Sequence, residues 1–94
     1  MIQLKDILYK VAIDKVIGNT SVAIRDIEFD SRNIQLNDVF VAIRGALSDG
    51  HHFIKKATDL GALVIICEVI PEEIINGITY VQVADSHKAL SILA

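Results

Sequence analysis

The chain has one cysteine, one proline, five aromatic side chains and no long apolar run. Each shortage closes off a class of protein. A lone Cys67 excludes an internal disulfide and a multi-cysteine zinc site, and fits a reducing compartment, with the cytoplasm as the default. The longest uninterrupted apolar stretch, Ala62 to Cys67, is six residues, against the ~20 that a membrane-spanning helix needs. Lys5 and Asp6 interrupt the amino end before a signal-peptide core can form, so neither export nor a membrane partner is expected. Basic residues are not in excess: the net charge is −3 and the nine Lys and Arg are dispersed, which argues against a duplex nucleic-acid partner held through many phosphates. One ligand carrying a few phosphates remains compatible with this balance.

What is present is a globular composition, 52% hydrophobic and 22% charged over 94 residues, enough for one domain with one core. Leu4, Ile7, Leu8 and Val11 recur at helical spacing with Lys5, Asp6 and Lys10 between them, which predicts an amphipathic helix, and Gly18 and Asn19 end the region. From Ser21 the period changes to two. Val22 and Ile24 hold one phase and Ile27 and Phe29 the other, so the slip at Arg25 and Asp26 predicts two short strands or a bulge. Val39 to Ile43 and Leu63 to Cys67 are continuously apolar, as strands covered on both faces are. Between them, Ser48 or Asp49 caps a helix predicted to bury Phe53, Ala57 and Leu60 and to end at Gly61. Strand, helix and strand within about thirty residues make a βαβ unit, whose strands run parallel. Pro71 to Gly77 is a turn-rich connection, Ile78 to Val83 alternates like a strand nearer an edge, and Asp85 or Ser86 starts a helix with Ala89, Leu90 and Leu93 inward. That helix reaches Ala94 with no stop signal, which predicts a piece of a longer protein. The expected architecture is α/β: a small mixed sheet of about four to five strands with a βαβ unit, flanked by about three helices.

Ligands of open α/β sheets bind beyond the carboxyl ends of the strands. Two loops there carry chemistry: Asp30-Ser31-Arg32-Asn33, and Arg44 to Gly50. If their strands point the same way, the loops share a rim. The second loop precedes a helix whose free N–H groups would favour an anion such as a diphosphate, and Gly45 and Gly50 would let backbone approach it. The Ser31 hydroxyl can donate to the same phosphate, while Arg32 supplies charge-assisted bonds or pairs with Asp30 to hold the loop. The bland alternative is a polar turn closing a strand. His51 and His52 are adjacent, too far apart around a helix to chelate one metal, and read as surface or capping residues. Cys67 reads as a buried inert thiol, Lys55 and Lys56 as the solvated face of their helix, and Glu72 and Glu73 as an acidic turn. No catalytic residue and no metal ligand is assigned in this chain.

The order Asp30-Ser31-Arg32, then Asp38 to Ala42, Gly45, Asp49-Gly50-His51 with Phe53-Ile54, Ala57 and Gly61-Ala62 resembles the amino-terminal domain of the Mur ligases, specifically the MurE type. The resemblance spans residues 22 to 94 and includes Val83 to Asp85 and Ala89-Leu90. It implies residues 1–94 to be a single domain gripping the UDP end of UDP-N-acetylmuramoyl-L-alanyl-D-glutamate, in a cytoplasmic enzyme that adds a diamino acid, meso-diaminopimelate or L-lysine, during peptidoglycan synthesis. ATP and magnesium would then bind in a central domain of the same chain, and no cofactor here. Residue by residue, Ser31 matches the family serine that contacts the nucleotide, Phe29 lies against the uridine beside Asp30, and Ala46, Leu47 and Ser48 match loop positions around the uracil and diphosphate. Some relatives carry His-Gln where this chain has Ala46 and Leu47, which leaves backbone hydrogen bonds there. Two alternatives stand beside this reading. A MurF-type ligase has the same layout, usually with Asp-Thr-Arg at the first loop. A non-catalytic interaction module on the same scaffold would need an exposed aromatic or arginine patch, and the five aromatics are expected mostly on core-facing positions.

Overall fold

Strands that are apolar on both sides need cover on both faces, and the computed structural model, which describes residues 2–93, shows two layers of cover around one sheet. In chain order the elements are β1 (Ile2–Gln3), α1 (Leu4–Leu8), β2 (Ile13–Ile17), β3 (Ala23–Ile24), β4 (Ile27–Glu28), β5 (Val39–Val41), α2 (Ile54–Asp59), β6 (Val64–Cys67), β7 (Thr79–Val83) and α3 (Ser86–Leu93). Short 3-10 turns occupy Ser31–Asn33 and Gly50–Phe53. The main sheet has the order β2-β7-β6-β5-β4, and β1 pairs with β3 in a separate two-stranded sheet. β4, β5, β6 and β7 are parallel, while β2 runs antiparallel along β7. The expected mixed α/β sheet with its βαβ unit is therefore present, β5-α2-β6 being that unit. No helix among the described residues is long and apolar enough to cross a membrane.

Side-chain alternation divides the core in two. Val39, Val41, Val64, Ile66, Val81 and Val83 face one side, where Leu4 and Leu8 of α1, Val11, Ile24 and Ala89 of α3 close over them. Phe40, Ala42, Ile65, Cys67 and Tyr80 face the other, against Ile34 and against Ile54 and Ala57 of α2. At the amino ends of β4 and β5, the fully buried Asp38 accepts from Arg25 Nε at 2.7 Å, Arg25 Nη2 at 3.0 Å and the Gln35 N–H at 2.8 Å. That ion pair ties the start of β5 to the segment before β4.

Several expectations need correction. Ile13–Ile17 is a strand that local pattern does not announce: Asp14 and Lys15 interrupt it, its register slips between Ile13 and Lys15, and its residues are exposed apart from the half-buried Ile17. Pairing with β7 makes it a strand. By covering the free side of β7, it also turns the supposed near-edge strand into an interior one. In α2 the buried residues are Ile54 and Ala57, whereas Phe53 and Leu60 stay over a third exposed. The preceding 3-10 turn shifts the phase, so the inward face begins one residue later. Gly61 ends this helix as expected, at φ +113°, and a Cβ there would lie 2.8 Å from Leu36 Cα. Of the five aromatics only Phe40 and Tyr80 are buried; Tyr9, Phe29 and Phe53 are exposed. The helix expected to run on to Ala94 is α3, and its continuation there lies outside the described residues.

Candidate functional site

Because β4 and β5 are parallel, with Ile27 opposite Val39 and Glu28 opposite Phe40, the chain leaves both strands at the same end of the sheet. The two chemistry-bearing loops therefore meet, and between them opens a cleft of about 500 Å³. Phe29, Asp30, Ser31 and Arg32 form one wall; Gly45, Ser48 and Gly50 form the second. Phe40 and Ile43 line its apolar base, and Phe53 and Lys56 close the side toward α2.

The first wall is shaped by its own charges. The Asp30 carboxylate caps the 3-10 turn by accepting the Arg32 N–H at 3.0 Å, and it also accepts from Arg32 Nε at 3.0 Å and Nη2 at 2.8 Å. Those side-chain bonds, then the backbone bond, hold the Asp30 carboxyl at about 2, well below its usual value of 3.8. Of the two roles open to Arg32, the geometry gives it the loop-holding one. Ser31 sits behind this pair, 7% exposed and lining the cleft, while Phe29 presents its ring openly at the rim, 59% exposed.

The second wall is a small hairpin. Arg44 bridges antiparallel to Asp49, the Gly45 N–H donates to Ser48 O at 2.8 Å, and the Gly50 N–H donates to Ile43 O at 2.7 Å. A Cβ on Gly50 would lie 2.7 Å from Ile43 N, so glycine is required for the hairpin to close on itself. This replaces the expectation that Gly50 clears room for a phosphate. Ala46 and Leu47 form the tip and do not line the cleft; Leu47 is fully exposed. The expected anion site at the helix start is also revised. Asp49 already occupies it, accepting the His51 N–H at 2.9 Å, and α2 itself is only six residues long.

A polar brace behind the hairpin went unread in the sequence. His51 Nε2 accepts the N–H of Glu68 at 2.9 Å and of Val69 at 3.3 Å, which puts the ring proton on Nδ1, where it donates to Asp49 at 2.7 Å. His51 is therefore neither a surface residue nor the cap, which is Asp49; its largely buried ring links the hairpin to the end of β6. Glu68 Oε2 accepts from the N–H and hydroxyl of Ser86 at 2.9 and 3.0 Å, while its Oε1 lies 3.4 Å from Arg44 Nε. Arg44 also faces Asp49 at 3.8 Å. Nothing short-range in the sequence connects Glu68 to Arg44 or to Ser86. Lys56 is exposed, as expected of the solvated face of its helix, and it also lines the cleft, which the sequence did not indicate. Cys67 is buried as expected, and burial pushes its thiol up to about 11.

An α/β domain with a mixed, largely parallel sheet, holding a mainly apolar cleft with a polar rim at the carboxyl ends of its strands, has the layout of ligand-binding α/β domains. Comparison with known proteins narrows this. The model of the Mur ligase family, catalytic domain, matches residues 23–94, and the chain belongs to the Mur ligase family. It is 43% identical over 93 residues to the UDP-N-acetylmuramoyl-L-alanyl-D-glutamate--2,6-diaminopimelate ligase of Cytophaga hutchinsonii, covering 98% of this chain and 19% of that protein. It is 40% identical over 88 residues to the ligase of the same name from Bacteroides fragilis, covering 94% of this chain and 18% of that one. The chain therefore spans about a fifth of the length of these relatives. Among solved structures it is similar to MurF from Acinetobacter baumannii, with a TM-score of 0.66 and 33% identity over 74% of this chain and 15% of that one. It is also similar to MurF ligase from Thermotoga maritima in complex with ADP, with a TM-score of 0.62 and 35% identity over 73% of this chain and 16% of that one.

Proposed function

We propose that the chain is the substrate-gripping amino-terminal domain of a MurE-type ligase, holding the UDP end of UDP-N-acetylmuramoyl-L-alanyl-D-glutamate in the cleft between its two loops. That the relatives are named 2,6-diaminopimelate ligases supports 2,6-diaminopimelate as the added amino acid. The whole protein is then a cytoplasmic, ATP-dependent ligase of peptidoglycan synthesis. The observation that carries the reading is the convergence of Phe29 and Ser31 with Ser48 on one cleft, from positions seventeen or more residues apart in sequence.

In this reading Phe29 stacks its exposed ring against the uracil. Ser31 donates its hydroxyl to a phosphate oxygen, and Asp30 keeps Ser31 in place through the Arg32 turn. Ser48 and the hairpin backbone hold the other side of the nucleotide. Ala46 and Leu47, at the tip, reach a ligand only where it extends past the cleft. The chain's own residues bind and orient, and no catalytic residue is assigned to them. ATP with magnesium is given to a central domain of the same protein, as membership of the Mur ligase family implies.

The test is an NMR titration of the chain with UDP and with ATP. UDP should shift the amides of Phe29 to Arg32 and of Arg44 to Gly50, and ATP none of them. Ser31→Ala should weaken UDP binding by about 1.5 to 3 kcal/mol, the value of a hydrogen bond to a charged group. Shifts on ATP addition alone would overturn the reading. A second reading, a MurF-type ligase, is favoured by the solved neighbours, at 33% and 35% identity, but the MurE relatives cover more of the chain at higher identity. Supplying the parent enzyme with the dipeptide or the tripeptide nucleotide separates the two.

A further inference from the structure

Around the cleft, charges of both signs are present, and nearly all are neutralised by neighbours. Arg32 is engaged by Asp30 through two bonds. Arg44 lies between Asp49 and Glu68. The 3-10 turn leading into α2 is capped by the Asp49 carboxylate, which accepts the His51 N–H, so that end of the loop already carries an anionic group of its own. Lys56 is the exception. It lines the cleft from the α2 side and has no ion-pair partner among the described residues. Lys55, one residue earlier, is turned about 100° around the helix, outside the cleft, and pairs with Asp59 at 3.4 Å.

We propose that Lys56 is the cation that receives the diphosphate of a nucleotide in this cleft, and that it makes the site prefer a nucleoside diphosphate over the uncharged nucleoside. The inference rests on the uridine-nucleotide reading and adds to it the source of charge selectivity. A diphosphate entering the cleft meets Asp30 and Arg32 already paired with each other, so that wall offers it no free cation and Lys56 is the one charged group lining the cleft that is left to receive it, among the described residues. Lysine suits the position: a compact ammonium on a flexible four-carbon stem follows a mobile, several-fold charged group better than a rigid fork does. Its field already reaches the opposite wall, where it helps keep the Asp30 carboxyl ionised. Because the ammonium is exposed, its attraction is screened by salt, so affinity for the charged ligand depends on ionic strength and affinity for the neutral one does not.

Calorimetric or NMR titration of the full chain with uridine and with UDP, at low and high salt, tests this. The unaltered chain should bind UDP more tightly than uridine, and salt should reduce that difference. Lys56→Gln should weaken UDP about two- to fivefold, the loss of one charged contact at an exposed site, and leave uridine unchanged. Lys56→Arg should retain most of the UDP affinity, and Lys55→Gln should alter neither ligand. Overturning results are a Lys56→Gln chain that binds UDP as tightly as the unaltered one, or that loses UDP and uridine equally. UDP affinity insensitive to salt in the unaltered chain overturns it as well, with no variant needed. If the unaltered chain binds neither ligand, the uridine reading of the cleft fails, and the inference fails with it.

Discussion

Arg32 and Asp30 form the tightest local charge arrangement at the cleft, with side-chain and backbone donors converging on one carboxylate. A carboxyl depressed to about 2 in the folded chain, against 3.8 unfolded, contributes stability that is complete above the unfolded value and disappears as pH falls through the folded one. The amides of Ser31 to Asn33 should therefore stay constant through neutral pH and move only below about pH 4 in an NMR pH series. Movement centred at ordinary carboxyl values would mean the pair does not form in solution. At this scale the sequence was informative about identity and silent about partners. Asp30-Ser31-Arg32 was legible as a polar turn at a strand end because such turns are encoded by adjacent residues. Lys56 was not, because a lysine on a helix face has the same local pattern whether it meets solvent or a cleft wall built from residues 29–32.

The hairpin from Arg44 to Asp49 is joined to the strand end at Glu68 by His51, whose ring bonds to Asp49 on one side and to the Glu68 N–H on the other. Replacing it with alanine leaves the Glu68 and Val69 N–H groups without their acceptor and Asp49 without its ring donor. His51→Ala should cost about 0.5 to 1.5 kcal/mol, the net value of a part-buried hydrogen bond, and speed hydrogen exchange at the Glu68 amide. Unchanged exchange at Glu68 would remove His51 from the brace. Elements whose pattern is local were readable: β5, β6, α1 and the cap at Asp49 each follow from neighbours in sequence. β2 was not readable, since its mixed and mostly exposed residues become a strand only through pairing with β7, more than sixty residues later. The inward face of α2 was displaced by one residue because a 3-10 turn leaves no distinct periodic signature.

Across the whole molecule, stability rests on two apolar layers sandwiching a short central sheet. Ile66, fully buried on β6, packs in the layer shared by α1 and α3. Ile66→Ala should cost about 2 to 5 kcal/mol through lost burial and a residual cavity, a large part of the ~5 to 14 kcal/mol that a domain of this size has in total. Urea unfolding should show a lower midpoint at unchanged slope; an unchanged midpoint would place Ile66 outside the core. The sequence by itself determined the βαβ unit and the residue types at the cleft, because continuous apolar strands, helix caps and polar turns are written in consecutive positions. Only the tertiary structure decided which charges cancel, where the sheet ends and which lysine faces the cleft, because each of those depends on groups that are distant in the chain and adjacent only after it folds.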